Sequence, residues 1–336
     1  LGLAGFSMIL TGLADGFVAV GFWRGLAGVG SGMANIPVYG VVSAWFSSKR
    51  RGMATGIAVS GSSIALIALG PLVPHLLDAF GTSGWRVCWY LFGCFTLVLA
   101  VAGAFLLRNV PAEKGLNPIA ADDSETAIGK GSANDRPDWS QVYRSKTAWH
   151  LGVVYIAFGF SYIIYVTFFF KMLVAEGGYP TTGAGRLFML MGWCSLLCGL
   201  IWGSMSDVVG RRYALLSVYL VQAVAYALVS LWPSNAAYIV SSVMFGITAW
   251  SIPGIMAAAC GDLFGFRLAP AALGFITLFF GVGQVISPGI AGAMADAAGS
   301  FSSAFSLAAI VATLGAVGAL SLPDDRSRGA AVPDSR

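Results

Sequence analysis

Ionisable side chains are scarce in this sequence, and where they stand limits the chemistry open to it. Only 10% of the 336 residues are charged, and Arg24 falls more than a turn inside an apolar run. An arginine in hydrocarbon is costly unless it snorkels to an interface or meets an anion, so Arg24 is a candidate for attracting an anionic solute. Asn35, beside Pro37, and Gln284 follow, because an amide in hydrocarbon must find a partner. Tyr162, Trp250 and Ser251 complete the set of candidate solute contacts. Asp15, Asp78, Glu176, Asp207, Asp262 and Asp296 all stand at the ends of apolar runs, as do His75 and His150. No carboxylate is placed mid-run to relay a proton, so a proton-coupling group is not expected among these runs. Hydrolytic chemistry needs a nucleophile beside a base, or paired acids, and no mid-run His, Asp or Glu is there to serve; an enzyme is not expected. The five cysteines form no CxxC pair and no Cys/His cluster, so neither a disulfide frame nor a metal site is expected. No nucleotide motif calls for a cofactor, and a formal charge of +4 needs no nucleic-acid partner.

The elements that position these residues are membrane helices. The chain is 57% hydrophobic, with a mean hydropathy of +0.79, where a water-soluble domain would carry about a quarter charged residues. Apolar runs of roughly 20 residues recur, each long enough to cross a ~30 Å hydrocarbon layer. They predict ten spans, near 1–14, 18–45, 53–77, 85–107, 148–172, 184–205, 213–232, 236–260, 271–295 and 302–322. Forty-four glycines suit helices that approach one another closely. Basic residues alternate with these spans: Lys49, Arg50 and Arg51, then Arg108 to Lys146, Arg211 and Arg212, Arg267, and Arg326, Arg328 and Arg336 all fall on one side. The positive-inside rule assigns that side to the cytoplasm. Residues 109–147, rich in charge, Gly, Ala and Pro, read as a cytoplasmic linker with an interfacial stretch at 139–149.

An internal repeat accompanies the spans. Asn35-Ile36-Pro37 is echoed by Ser251-Ile252-Pro253, Gly70-Pro71 by Ser287-Pro288, Asp78 by Asp296 and Gly81 by Gly299, in order and at a nearly constant offset. An even number of spans separates the copies, which predicts two parallel halves of nominally six helices each. Shifting the second half back onto the first predicts two further spans ahead of Leu1.

Several motifs carry a family resemblance. Gly203-Ser204-Met205-Ser206-Asp207-Val208-Val209-Gly210-Arg211-Arg212 follows the sixth span and has the G-x-x-x-D-x-x-G-R-R spacing of the major facilitator superfamily. There Gly203 is expected to permit close helix contact, Gly210 to make a tight turn, Asp207 to meet helix N-termini, and Arg211 and Arg212 to anchor the membrane surface. Arg24-Gly25-Leu26-Ala27-Gly28-Val29-Gly30-Ser31-Gly32 resembles the superfamily's fourth-helix motif, with Ala27 where a Gln is usual. Gly70-Pro71 resembles its fifth-helix Gly-Pro motif, although Val73-Pro74 replace the expected glycines; Gly281 to Pro288 repeats that pattern in the second half. Trp45-Phe46, Arg50-Arg51-Gly52 and Gly84-Trp85-Arg86 are similar to the monocarboxylate and oxalate–formate branch. Gly159 to Tyr162 and the run from Gly283 are closer to little-characterised bacterial branches, and both affinities stay open.

The resemblance implies an all-α polytopic membrane protein of the major facilitator fold, with two pseudo-symmetric bundles and about ten of twelve helices present. The expected organisation is an N-terminal bundle at 1–108, a linker at 109–147, a C-terminal bundle at 148–322 and a cytoplasmic tail at 323–336. The implied function is secondary transport of a small organic solute, an anion such as a carboxylate, by alternating access in the inner (plasma) membrane. A coupling ion or counter-substrate would be the further partner, besides the lipid bilayer. Gly203, Asp207, Gly210, Arg211, Arg212, Gly70, Pro71 and Pro288 would serve conformational change. A transporter-like sensor that binds its solute without turnover is the alternative.

Overall fold

A computed structural model of the chain describes residues 1–46, 48–116, 119 and 138–322; the expected interior of the linker and the tail lie outside the described residues, as do the side chains of Asn35, Lys49, Arg50, Arg51 and Arg267. The described backbone is nearly all helix: α1 (Gly2–Leu13), α2 (Phe17–Trp45), α3 (Ser48–Phe80), α4 (Gly84–Leu106), α5 (Ser140–Arg144), α6 (Lys146–Ala175), α7 (Thr181–Ser195), α8 (Cys198–Val209), α9 (Arg211–Leu231), α10 (Asn235–Thr248), α11 (Ser251–Ala298) and α12 (Ser302–Leu320). Six stretches are long and apolar enough to cross a membrane, and the pair α7–α8, bent by 41°, makes a seventh. Two of the expected ten spans take a different form. The eighth is broken after Thr248, and α11 then runs on without interruption through the loop expected around Arg267. At 1.5 Å per residue a 48-residue helix is roughly 70 Å long, more than two bilayer cores. It accordingly contributes to two apolar stretches, Asn235–Phe264 and Leu268–Ala298.

The chain divides into two compact units: Leu1–Ala58 with Pro71–Asp135, and Val59–Gly70 with Arg136–Arg336. In the first, α1 lies between α2 and α4. Small residues set these distances: a Cβ on Gly30 would fall 2.6 Å from the Ala4 backbone nitrogen, and one on Gly93 2.7 Å from the Gly5 carbonyl. The end of α1 leaves carbonyls without helical partners, and α4 supplies donors for them. Arg86 donates to the Gly12 and Ala14 carbonyls (2.8 and 3.2 Å) and to Asp15 (2.7 Å), and the Tyr90 hydroxyl donates to Gly12 (3.0 Å). Trp45 Nε1 donates to the Arg108 carbonyl (2.8 Å), tying the ends of α2 and α4.

In the second unit α6 is the central helix, with α11 and α12 against it. Gly159 and Gly283 permit that approach: a Cβ on Gly159 would collide with the Phe280 carbonyl oxygen, and one on Gly283 with the Ile156 carbonyl. Residues 59–70 of α3 belong here too, packing Gly70 on the backbone of Gly185 and Met189, and Ser63 and Ile67 on Gly192 of α7. Buried tyrosines spend their hydroxyls on backbone or polar partners: Tyr219 on the Val154 carbonyl (2.6 Å), Tyr165 on Ser241 Oγ (2.8 Å). Glu176 accepts from Phe301 N and Ser300 Oγ (both 2.7 Å), which closes the N-terminus of α12 with a carboxylate. The repeat has a backbone counterpart. Gly81 and Gly299 both take positive φ (53° and 66°) directly after the long helices α3 and α11, where a side chain would be strained.

Candidate functional site

Two helix breaks meet in the second unit. Pro253 is the third residue of α11 and has no N–H to give the Ala249 carbonyl, and the helical hydrogen-bond ladder is interrupted between α10 and α11 at Ala249 and Trp250. The carbonyls released at the end of α10 are taken by side chains from other helices: Trp202 Nε1 donates to Ile247 (2.6 Å) and Gln222 Nε2 to Thr248 (3.3 Å). The second break, between α7 and α8, lies alongside. Cys194 meets Gly246 of α10, and the Cys198 thiol faces the Trp250 backbone and the Ser251 hydroxyl. Cys194 and Cys198 therefore stand on opposite sides of a bend, not along one helix face.

Against these breaks stands a wall of aromatic rings. Tyr162 lies edge-on to Trp250 with centroids 5.9 Å apart, and stacks on Phe158 at 5.2 Å and Phe245 at 6.2 Å. Phe280 stacks on Tyr155 at 4.8 Å and Phe158 at 5.5 Å. Gln284, half-buried, is one helical turn beyond Phe280 and so on the same face of α11. Ser287, three residues further on and beside Pro288, is fully buried and its Oγ has no hydrogen-bond partner among the described residues. Of the three tyrosines of α6, Tyr155 and Tyr165 are core residues (3% and 0% exposed), while Tyr162 keeps a partly open edge. Tyr162, Trp250 and Ser251 are thus brought together, with Gln284 a turn from the Phe280 ring that completes the wall.

Arg24 belongs to the first unit. Its guanidinium lies over the Trp89 ring of α4 at 4.3 Å, and among the described residues no carboxylate is in ion-pairing range of it. Asn35 is in α2, but its side chain lies outside the described residues.

The loop motif of the second unit is a closed set of ion pairs. Arg211 donates to Asp207 (2.6 Å), Ser206 Oγ (2.5 Å) and Asp262 of α11 (2.8 Å). Gly210 has φ 94°, as a tight turn there requires. Asp207 meets Arg211, and among the described residues no atom of another element lies within 4 Å of a Cβ built on Gly203. The close contact expected at Gly203 is not seen among the described residues. Gly70 does make a close contact, on α7.

Trp202, Gln222 and Cys198 are the neighbours of the breaks that the sequence reading passed over. The signal for Gln222 was present: it is an amide inside an apolar run, the same reason that singled out Asn35 and Gln284.

The family described as the uncharacterised MFS-type transporter YbfB matches residues 2–320 of this chain. The hexuronate transporter of Bacillus subtilis (strain 168) is 23% identical over 310 residues, covering 88% of this chain and 71% of the relative. Monocarboxylate transporter 12 of Xenopus laevis is 24% identical over 303 residues, covering 84% of this chain and 63% of the relative, so this chain spans less than two thirds of that protein's length. Among solved structures, a bacterial homologue of the human lysosomal transporter Spinster superposes with a TM-score of 0.63 at 15% identity, covering 95% of this chain and 78% of its own. The E. coli fucose:proton symporter FucP follows at 0.58 and 14%, covering 94% and 81%. The superpositions give the fold, and the family match, over nearly the whole chain, gives the kinship with transporters in place of enzymes. A chain of about ten membrane helices, broken and closely packed in this way, therefore belongs to the MFS-type transporter family, with the major facilitator fold.

Proposed function

We propose that the protein is a secondary transporter of small organic anions, carrying a carboxylate solute by alternating access between its two halves. The observation that carries the reading is Arg24: a permanent cation on a membrane helix, laid on the Trp89 ring at 4.3 Å with no carboxylate in range among the described residues. Stacking on an aromatic face stabilises a guanidinium by about 0.5–2 kcal/mol and leaves its charge free for an anion. The names of two relatives point the same way, since hexuronates and monocarboxylates both present a carboxylate. Arg24 and Asn35 in the first unit, and Tyr162, Trp250, Ser251 and Gln284 in the second, are the residues proposed to meet the solute. The protein sits in the inner membrane, with the linker and C-terminus in the cytoplasm, and rocks about a midplane site.

The test uses the full-length protein in proteoliposomes with labelled lactate and galacturonate, and glucose as the uncharged control. Carboxylate uptake and counterflow are expected, with Arg24→Ala reducing uptake tenfold or more and Arg24→Lys retaining part of it. Equal uptake of glucose, or carboxylate uptake indifferent to Arg24→Ala, would sink the reading. Binding without counterflow would favour a sensor.

A further inference from the structure

The break between α10 and α11 holds two polar side chains with no hydrogen-bond partner among the described residues. On its α10 side, Trp202 and Gln222 take the Ile247 and Thr248 carbonyls. Its α11 side has no such ties. No side chain caps the first turn of α11, and both polar side-chain groups beside that turn, Trp250 Nε1 and Ser251 Oγ, are buried without a hydrogen-bond partner among the described residues. Ser251 is only 3% exposed, and the group beside its hydroxyl is the Cys198 thiol, a weak donor and weak acceptor. A buried donor left unmade is costly, and Trp250 and Ser251 each carry one.

Their chemistry specifies what is missing. An indole N–H only donates, so the partner must accept. The pair stands at the start of a helix of 48 residues, whose free N–H groups carry the positive pole of the helix dipole. The partner is therefore an acceptor that gains from negative charge, and a carboxylate offers two oxygens for two donors. The break is built in covalently by Pro253, and the surface one turn along α11 is open, because Gly254 is exposed with no atom within 4 Å of a Cβ placed there.

We propose that the break between α10 and α11 receives the carboxylate of the transported solute, with Trp250 Nε1 and Ser251 Oγ as its side-chain donors and the first turn of α11 as its positive pole. Trp202 and Gln222 are positioning residues: by holding the Ile247 and Thr248 carbonyls they keep those acceptors turned away from the anion. The proposal rests on the carboxylate reading above and adds a discrimination to it. The neutral amide of the same acid lacks the charge that gains from the positive pole, and its NH₂ cannot accept from the Trp250 N–H.

The experiment measures proteoliposome uptake of labelled lactate by the full-length protein and its Trp250→Phe and Ser251→Ala variants, with lactamide as competitor and thermal unfolding in detergent as the folding control. Losing one hydrogen bond to a charged group weakens binding by roughly tenfold or more. Each variant is therefore expected to raise KM about tenfold with kcat and unfolding temperature little changed, and lactamide is expected not to compete. Lactate uptake with KM unchanged in both variants overturns the receptor alone, as does lactamide competing as well as lactate. Absence of any carboxylate uptake by the unmodified protein overturns the carboxylate reading, and the receptor with it.

Discussion

At the scale of single residues, the second unit invests its charges in ties between distant parts of the chain. Arg211 is the clearest case, since its guanidinium spans Asp207 one turn back and Asp262, 51 residues onward. The Asp207 side chain is 68% exposed and that of Asp262 43%, so screening weakens the first pair more than the second. Asp262→Asn is expected to lower stability by about 0.5–1 kcal/mol and Asp207→Asn by about half as much, read as unfolding temperature in detergent. The reverse order would assign the tie to the local turn. The arginine motif was legible from its spacing, because its parts are neighbours in sequence. Asp262 as its partner was not, since only the fold brings α11 to that loop. Gln222 stood out as an amide in an apolar run, but its partner and that of Trp202 were hidden for the same reason, because the carbonyls they serve are free only once a helix is broken.

At the scale of elements, proline and glycine decide where helices break and where they touch. The spans were legible as apolar runs, and Ser251-Ile252-Pro253 carried the break in plain view; read only as a repeat element, its effect on the Ala249 carbonyl went unused. The long α11 was not legible, because a charged residue between two apolar runs looks like a loop whether or not the backbone stays helical there. Pro253→Ala returns the missing N–H to the chain. It is expected to raise the unfolding temperature by a few degrees while raising the carboxylate KM several-fold, as a closed break loses its free first turn. A lower KM would contradict this. Glycine gives a sharper contrast. A Cβ on Gly159 would strike the Phe280 carbonyl, which overpacking values put at about 1–3 kcal/mol, against up to about 1 kcal/mol gained in helix propensity. Gly159→Ala should therefore destabilise the protein, and Gly203→Ala, in open space, should be neutral or slightly stabilising. Thermal unfolding of the pair checks it, and equal effects would remove the distinction between close contact and open surface.

At the scale of the whole molecule, the basic residues of the sequence fall at alternate ends of the expected spans. Green fluorescent protein fused at Arg336 is expected to fluoresce in cells, and alkaline phosphatase inserted between Trp232 and Asn235 to be active, because each reporter works on one side of the membrane only. An inactive phosphatase with a fluorescent C-terminus would break the alternation between those two points. The repeat was legible as paired dipeptides, and its backbone form, two long helices each closed by a positive-φ glycine, is the same signal written in torsion angles. The two-unit division was legible only in part. Nothing in the composition of residues 59–70 marks them off from the rest of α3, although they cluster with the other unit.

That assignment of 59–70 has a consequence for biosynthesis. Gly70 rests on the backbone at Gly185, and Ser63 and Ile67 on Gly192, yet the ribosome makes α3 roughly a hundred residues before α7, a delay on the order of ten seconds at 5–20 residues per second. Throughout that interval a newly inserted α3 holds its glycine and its serine hydroxyls against lipid or the insertion machinery. The helix made early is completed late, once α7 has emerged.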